Sequence, residues 1–253
     1  MAFIMRSTLL LAACLISATA SAEGKLTMST GFEYSSGDYG SAADTEIWMV
    51  PLSLKYQSGS MTLRAATSWL HITGPGGVTP EGEPVSGGGA STTEQGMGDV
   101  TASVAWNLLD ERKYALGLDL GAKIKFGTAD EKKSLGTGEN DYALYAEVFK
   151  PLGAWYPSFK LGYNWKGDPS GIDYRNVWYG SLGTGYRLSK TYSLGAFYDW
   201  RQKLTAGGNP VSEAMVYFNT RLNDHNKLNV YLISGFSDAS PDWGAGMSFT
   251  HTF

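Results

Sequence analysis

The strictest pattern in this sequence is the two-residue alternation of residues 113–127, KYALGLDLGAKIKFG. The charged side chains of this stretch, Lys113, Asp119, Lys123 and Lys125, all share one parity, and glycines lie between them. The other parity is apolar throughout and comprises Tyr114, Leu116, Leu118, Leu120, Ala122, Ile124 and Phe126. Because successive side chains of a β-strand point to opposite faces, this stretch predicts a strand with one apolar and one ionised face.

The same period recurs along the chain. Further alternating runs begin near residues 26, 48, 61, 100, 142, 155, 178, 194, 214, 228 and 243. They indicate about twelve strands, each close to the ~9–11 residues that a tilted membrane strand needs. Longer polar links follow the odd-numbered runs and tight links follow the even-numbered ones, as in outer-membrane barrels. The predicted fold class is therefore all-β: an antiparallel transmembrane β-barrel of about 12 strands, closed as an up-and-down meander.

The charged parity is predicted to face the inside of this barrel. Backbone polar groups in lipid must pair internally, so the strands must close, and a Lys on the lipid face costs about 2–4 kcal/mol at mid-membrane. The pattern leaves open whether the inner charges line a conduction path or pair with one another and plug it. The predicted lumen-lining residues, as a possible solute path, are Glu33, Arg64, Asp119, Lys123, Lys125, Tyr145, Glu147, Lys160, Tyr179, Arg187, Asp199, Arg201, Tyr217, Arg221 and Tyr231.

Aromatic residues on the outward parity predict contacts with the membrane and with its assembly machinery. Indole rings favour the headgroup zone, so two interfacial girdles are expected. The chain ends in Phe253 with Phe249 on the same parity, which resembles the assembly signal of outer-membrane proteins; His251 stands where that signal more often has Tyr or an apolar residue. The predicted girdle residues are Trp48, Trp69, Trp106, Trp155, Trp165, Trp178, Trp200 and Trp243.

The N-terminus predicts export. Arg6, the apolar LLLAACLISA and the Ala20-Ser21-Ala22 site form a signal peptide over residues 1–22, which leaves a single barrel domain over residues 23–253. A lipid-modified Cys14 in LAAC is the alternative. Loss of Arg6 leaves 19 basic and 24 acidic residues, a charge of −5, which argues against a nucleic-acid partner. The expected location is the bacterial outer membrane, with lipid bilayer, lipopolysaccharide and the barrel assembly machinery as partners.

The stretch GMGDVTASVAWNLL, residues 96–109, resembles a segment of the outer-membrane proteins named for the meta-pathway of phenol degradation. KIKFGTAD, LGTGENDYALYAEVFKPLG, FKLGYNW and GTGYRLSKTYSLGAFYDWR resemble later strands of that family in the same order. The family usually has a Pro near Phe126-Gly127-Thr128 that this chain lacks. The resemblance implies a twelve-stranded barrel that passes small, often aromatic or hydrophobic, compounds. Asp99 is expected to fix a turn by accepting hydrogen bonds from nearby backbone N–H groups.

Other functions are weighed from the same residues. A barrel lipase needs a Ser–His pair, but none of the three histidines has a serine at same-face spacing, so an enzyme is not expected. The inner cations also suit a narrow porin for anionic sugars or acids, and a closed structural barrel without conductance is a further alternative. We expect no metal or other cofactor. The long loop that contains GPGG and SGGG either folds into the mouth or stays outside it.

Overall fold

The computed structural model describes residues 24–75, 77–79, 81–85 and 91–253. The predicted signal peptide and Cys14 therefore lie outside the described residues. Every strand pairing is antiparallel. The strands are β1 (Lys25–Gly37), β2 (Thr45–Ser58), β3 (Met61–Gly74), β4 (Thr92–Met97), β5 (Val100–Leu109), β6 (Gly117–Phe126), β7 (Asp141–Phe149), β8 (Trp155–Trp165), β9 (Val177–Arg187), β10 (Tyr192–Arg201), β11 (Val211–Arg221), β12 (Asn226–Gly235) and β13 (Trp243–Thr252).

The sheet closes on itself. β1 pairs with both β2 and β13, and β2 pairs with β3, so the sheet formed by the described strands has no end. β4 and β5 both pair with β3, at opposite ends of that strand, and together fill one position of the wall. The thirteen segments therefore form a closed barrel of twelve strands. The predicted fold class is confirmed.

Two local predictions were wrong. The sequence predicts no strand between the runs that begin near residues 61 and 100. In the structure, residues 92–97 form β4, which pairs with residues 69–74 of β3. The sequence TTEQGM is polar on both parities, so alternation could not reveal this strand. Tyr114 was placed in the strand of residues 113–127, but it ends a short helix, α1 (Glu111–Tyr114), which Asp110 caps by accepting a hydrogen bond from the Arg112 backbone N–H.

The two ends of the barrel differ. Both the beginning of β1 and the end of β13 lie at the end where the connections are short, which we call the turn end. The opposite end, which we call the loop end, carries the connections over residues 38–44, 75–91, 127–140, 166–176, 202–210 and 236–242. No helix in the described part of the chain is long and apolar enough to cross a membrane.

Large apolar side chains cover the outer face. Leu182, in the middle of β9, is 60% exposed, and Leu144 and Leu232 are similarly exposed. Seven of the eight tryptophans are exposed, and Trp200 is half-buried. Trp106 and Trp155 lie toward the turn end and the other six toward the loop end, as two girdles require, although contact with lipid stays a prediction.

Buried apolar side chains are concentrated at the loop end. One cluster joins the inner faces of β2 and β3 to the connection between β6 and β7, and the other joins the start of β9 to the connections that flank β9 and β10. The members are Ile47, Leu70, Ile72, Ala129 and Leu135 in the first cluster and Tyr174, Val177 and Leu204 in the second. In both clusters, apolar packing ties the loops to the wall at the loop end.

Two lysine substitutions test which face of the wall lies against the membrane. One is on the predicted lipid-facing surface, and the other is in a turn outside the predicted membrane. Leu182→Lys is expected to lower the free energy of unfolding by about 2–4 kcal/mol because it exposes an ammonium group to hydrocarbon. Leu152→Lys, in the turn between β7 and β8, is expected to change it by no more than about 0.5 kcal/mol. Urea unfolding of the protein in lipid vesicles measures both; equal effects would contradict the assigned outer face.

Candidate solute path

The inner wall carries aromatic rings that lie flat over glycines of neighbouring strands. A Cβ built on Gly121 would come within 2.2 Å of the Tyr145 ring, and one on Gly162 within 2.3 Å of the Tyr179 ring. The same relation holds between Gly183 and Phe197, Gly195 and Tyr217, and Gly246 and Tyr231. The absence of a side chain at each glycine leaves room for the ring of its neighbour. The inward glycines are therefore occupied positions and not gaps in the wall.

These five rings form what we call the aromatic lane, which comprises Tyr145, Tyr179, Phe197, Tyr217 and Tyr231. Phe197 and Tyr217 stack with ring centroids 5.7 Å apart and planes 18° from parallel. The Tyr231 side chain extends from β12 across β13, and its hydroxyl donates a hydrogen bond to Glu33 of β1. The lane extends from β7 to β12 and covers about half of the circumference.

Polar contacts on the inner face pair some of the predicted lumen charges. Lys160 Nζ lies 3.0 Å from Glu147 Oε2 and 5.4 Å from the centroid of the Tyr145 ring. Asn107 Nδ2 donates a hydrogen bond of 2.7 Å to Asp119 Oδ1. The sequence placed these charges on the inner parity, and the pairs show that cross-strand neighbours offset part of the lumen charge.

The turn end opens into a cavity of about 780 Å³ that is rich in positive charge. Arg221 pairs with Asp224 at 3.0 Å, and the Arg187 guanidinium lies 5.5 Å from the Tyr156 ring centroid. Asp224 is the one acidic side chain among its described lining residues. The six basic lining residues are Lys25, Lys55, Arg187, Lys190, Arg221 and Lys227.

The loop end is closed by the connection between β3 and β4. Its described residues, 77–79 and 81–85, form what we call the plug loop. Val78 and Pro84 form an antiparallel bridge, the Thr79 N–H donates to the Glu83 carbonyl at 2.9 Å, and the Gly82 N–H donates to the Thr79 carbonyl at 2.9 Å. Thr79 is fully buried. Of the two placements that the sequence left open, the described residues 77–79 and 81–85 adopt the one folded into the mouth.

Wall residues hold the plug loop through its backbone. Arg201 at the end of β10 donates two hydrogen bonds of 3.1 Å, to the carbonyls of Glu81 and Gly82. The Tyr174 hydroxyl donates to the Pro84 carbonyl. Gly82 has a positive φ of +66° and lies so close to the Ala239 carbonyl that a Cβ would meet it at 2.0 Å. The tip of the plug loop is therefore fixed by contacts with two other connections and one strand.

The Glu83 side chain enters a cluster of charges that belong to the wall. Lys166 Nζ lies 2.5 Å from Glu83 Oε1, Arg201 lies 3.5 Å from the same oxygen, and Lys125 Nζ lies 3.6 Å from Oε2. Lys125 also pairs with Asp99 at 3.2 Å and with Asp141 at 3.1 Å. Lys166 pairs with Asp141 at 2.5 Å. We call these six residues the ion cluster.

The ion cluster controls the protonation of Glu83. Burial by itself raises the pKa of the Glu83 carboxyl, but the positive charges of Lys166, Lys125 and Arg201 outweigh burial and lower the pKa to about 2. Glu83 is only 4% exposed, so solvent screens these interactions weakly. The carboxylate is therefore ionised across the physiological range and fastens the plug loop.

Asp99 of the GMGDV stretch has a wider role than the sequence predicted. Its Oδ1 accepts a hydrogen bond of 2.9 Å from the Ala129 N–H, which belongs to the connection after β6 and not to a nearby turn. Its Oδ2 pairs with Lys125. Asp99 thus links the break between β4 and β5 to the ion cluster.

The predicted lumen residues divide among three levels of the barrel. Lys125 and Arg201 join the ion cluster at the loop end, and Arg187 and Arg221 line the cavity at the turn end. Within the described ranges, no ion pair reaches Arg64, Lys123 or Asp199. Tyr217 also lines the cavity at the turn end, and Asp119 lies near that end beside Asn107. The remaining predicted residues lie between the two ends: Glu33, Tyr145, Glu147, Lys160, Tyr179 and Tyr231.

Sequence reasoning missed Glu83, Lys166, Asp141 and Tyr174. Asp141 lies one residue before a predicted run, and its inner parity could have identified it. Glu83, Lys166 and Tyr174 lie in connections, where the period of two gives no information. Only the folded loops bring them together.

The C-terminal end and the histidines make local contacts. Phe249 and Phe253 are exposed, and the Phe253 N–H donates to the Leu26 carbonyl at 3.0 Å. His71 stacks on Trp69, and His251 Nδ1 donates a hydrogen bond of 2.8 Å to Asn226 Oδ1. No serine hydroxyl bonds to a histidine among the residues described. The described ranges contain no group of three or more His, Cys, Asp or Glu side chains placed to hold a metal ion.

Gly246→Ala tests the fit between the inner glycines and the rings. The new methyl group would lie within 2.3 Å of the Tyr231 ring, so the ring must move and its bond to Glu33 is strained. We expect the free energy of unfolding to fall by about 1–3 kcal/mol, as for other overpacked sites. Gly207→Ala, which meets no atom within 4 Å, is the control in the same urea unfolding assay. Equal stability of the two variants would contradict the assigned packing.

The pKa of Glu83 predicts when acid releases the plug loop. Because the folded-state pKa is lowered to about 2, the ion pairs are complete above the ordinary Glu pKa of about 4.3 and are lost as the pH falls toward 2. Conductance in planar bilayers should therefore be unchanged between pH 7 and 5 and should rise only below about pH 4. The other titratable groups that face this carboxylate are Glu81, Lys125, Lys166, Arg201, Asp99, Asp141 and Tyr174. Glu83→Gln should remove the part of this conductance rise that protonation of Glu83 causes. A rise in wild-type conductance near pH 6 would contradict the lowered pKa assigned to Glu83.

The fold is similar to those of outer-membrane channels. Superposition on the COG4313 outer membrane channel from Pseudomonas putida F1 gives a TM-score of 0.66 at 14% identity and covers 91% of this chain and 96% of that chain. The NanC porin gives 0.58 at 12% identity, with coverage of 89% and 98%, and the KdgM porin gives 0.57 at 10% identity, with coverage of 89% and 99%. At these identities the likeness shows the fold alone.

Sequence comparison identifies the family. A search of curated proteins finds no match to this chain. The sequence profile of the family described as "Putative MetA-pathway of phenol degradation" matches residues 29–253, nearly the whole of the described barrel. The resemblance noted for residues 96–109 and the later strands is confirmed: the chain belongs to this family.

Proposed function

We propose that this protein is a channel of the bacterial outer membrane for passive uptake of small solutes, aromatic ones in particular. The aromatic lane is the observation that carries the proposal, because its rings lie flat along the inner wall and offer π-faces to a solute in the lumen. Family membership and a fold shared with outer-membrane channels support it. The protein is not an enzyme in this proposal.

The proposal includes the route and the partners. Solute enters at the loop end, which corresponds to the cell exterior, passes the plug loop once that loop has moved, and leaves through the cavity at the turn end into the periplasm. Lipid and lipopolysaccharide surround the exposed apolar belt, and the tryptophans lie at its two edges. The terminal Phe253 contacts the barrel assembly machinery, and residues 1–22 direct export before cleavage.

A narrow porin for anionic solutes is the second candidate. The six basic side chains around the cavity at the turn end favour it, since a ring of cations attracts anions and repels cations. The folds of the KdgM and NanC porins are compatible with this candidate. Tyr217 of the aromatic lane lines this cavity, and the other four rings lie deeper in the barrel than these cations, so the neutral lane decides the order of the two candidates.

Liposome swelling with three solutes of low bilayer permeability separates the candidates. Phenyl glucoside, methyl glucoside and glucuronate are compared in the wild type and in a variant whose residues 77–85 are replaced by a glycine–serine linker. The aromatic lane predicts that phenyl glucoside enters faster than the smaller methyl glucoside. Fastest entry of glucuronate would favour the anion porin, and no swelling in either protein would contradict a channel of any kind.

A substitution in the lane tests its role directly. Tyr179→Leu should lower the ratio of phenyl to methyl glucoside entry by about 2–10-fold, the range expected for loss of one stacking contact. Tyr142→Leu, which changes an exposed tyrosine on the outer face of β7, is the matched control and should leave the ratio unchanged. An unchanged ratio in Tyr179→Leu would show that the lane does not select the solute.

A further inference from the structure

The plug loop delivers a carboxylate to a site that the wall builds without it. The three cations that surround Glu83 come from three separated parts of the barrel: Lys125 from β6, Lys166 from the residue after β8, and Arg201 from β10. Each has a side-chain exposure of 16% or less. A site assembled from three strands persists when one loop moves away.

The charges of this site do not balance without Glu83. The wall contributes three positive charges, from Lys125, Lys166 and Arg201, and two negative charges, from Asp99 and Asp141. One positive charge is therefore uncompensated until Glu83 enters. A buried unpaired charge is costly, so the emptied site would favour another monoanion.

Glu83 fits this site incompletely. Its Oε2 is buried and accepts no hydrogen bond, and the Nε of Arg201 is buried and donates none, as judged over the described residues. Lys125 lies 3.6 Å from that oxygen, beyond hydrogen-bond distance. A carboxylate free of the loop backbone could satisfy atoms that Glu83 leaves without partners.

The surroundings of the site favour an aromatic carboxylate. The apolar cluster of Tyr174, Val177 and Leu204 borders it, and Lys166 Nζ lies 5.9 Å from the centroid of the Tyr174 ring. Departure of the plug loop frees the Tyr174 hydroxyl and two N–H groups of Arg201, which now donate to its backbone carbonyls. The same pocket then offers cationic donors beside an apolar surface.

We propose that the ion cluster is a binding site for small aromatic carboxylates, and that such a solute opens the loop end by displacing the Glu83 carboxylate. Glu83 acts as a built-in competitor that keeps the mouth closed while no ligand is present. This inference rests on the proposed channel function and adds a ligand class and an opening step to it. It distinguishes the ion cluster, which recognises the solute, from the aromatic lane, along which the solute passes.

The experiment compares benzoate with its uncharged isostere benzamide in planar bilayers. Benzoate added at the loop end should raise the ratio of open to closed channel by about tenfold or more, as expected for exchange of charge-assisted hydrogen bonds. Benzamide should not. An equal response to both solutes would overturn the assignment of a carboxylate site.

Glu83→Gln tests the competitor. The amide keeps the shape of the side chain and removes its charge, so the variant should be open without benzoate and should no longer respond to it. Glu83→Asp keeps the charge and should retain some closure. Glu46→Gln removes an exposed carboxylate at the same end and is the matched control; it should behave as the wild type. A Glu83→Gln channel that stays closed, or a Glu46→Gln channel that opens equally, would overturn the inference.

The failures of the inference and of the channel proposal are distinguishable. If benzoate does not open the wild type but the variant without residues 77–85 passes phenyl glucoside, the channel stands and the carboxylate site is wrong. If that variant passes no solute, the channel proposal itself fails. Circular dichroism of each variant confirms that the barrel is folded before conductance is compared.

Discussion

Closure of the hydrogen-bonded sheet is the constraint on which the rest of this molecule depends. Pairing of β1 with β13 leaves the barrel without an exposed edge, and it divides every strand into an outward and an inward parity. Apolar side chains can then face hydrocarbon while ionised ones face an enclosed interior. Glycine on the inner parity follows from the same division, because it leaves space for a tyrosine of the next strand to lie against the wall.

The two ends of the barrel use charge differently. At the loop end, three cations meet three carboxylates, and the sum is zero only because Glu83 is present. At the turn end, six cations share one acid, Asp224, which pairs with Arg221, and water in the open cavity screens the other five. A solute anion in the ion cluster would make that cluster neutral. From there it would move toward the cavity at the turn end, which carries a net positive charge.

The sequence was informative wherever side chains alternate. The strand count and the closed barrel followed from the period of two, because the energetic cost of a charge in lipid sets the parity. β4 was missed since TTEQGM is polar on both parities, and α1 was missed since Tyr114 continues an apolar series by coincidence. The position of Glu83 could not follow from alternation, because the plug loop reaches the ion cluster through tertiary contacts with Tyr174 and Arg201.

The sequence left open whether the inner charges line a conduction path or pair with one another and plug it. The structure contains two kinds of charge pair, which differ in this respect. Glu147 and Lys160 pair on the wall between neighbouring strands, which offsets charge without crossing the lumen. Glu83 instead reaches the wall from a loop, and its pairs close the mouth. One carboxylate and three hydrogen bonds to backbone carbonyls hold the plug loop, and one oxygen of that carboxylate accepts no hydrogen bond from the described residues. In the proposed opening step, a competing anion replaces the Glu83 carboxylate, and the backbone contacts are then what still holds the plug loop to the wall.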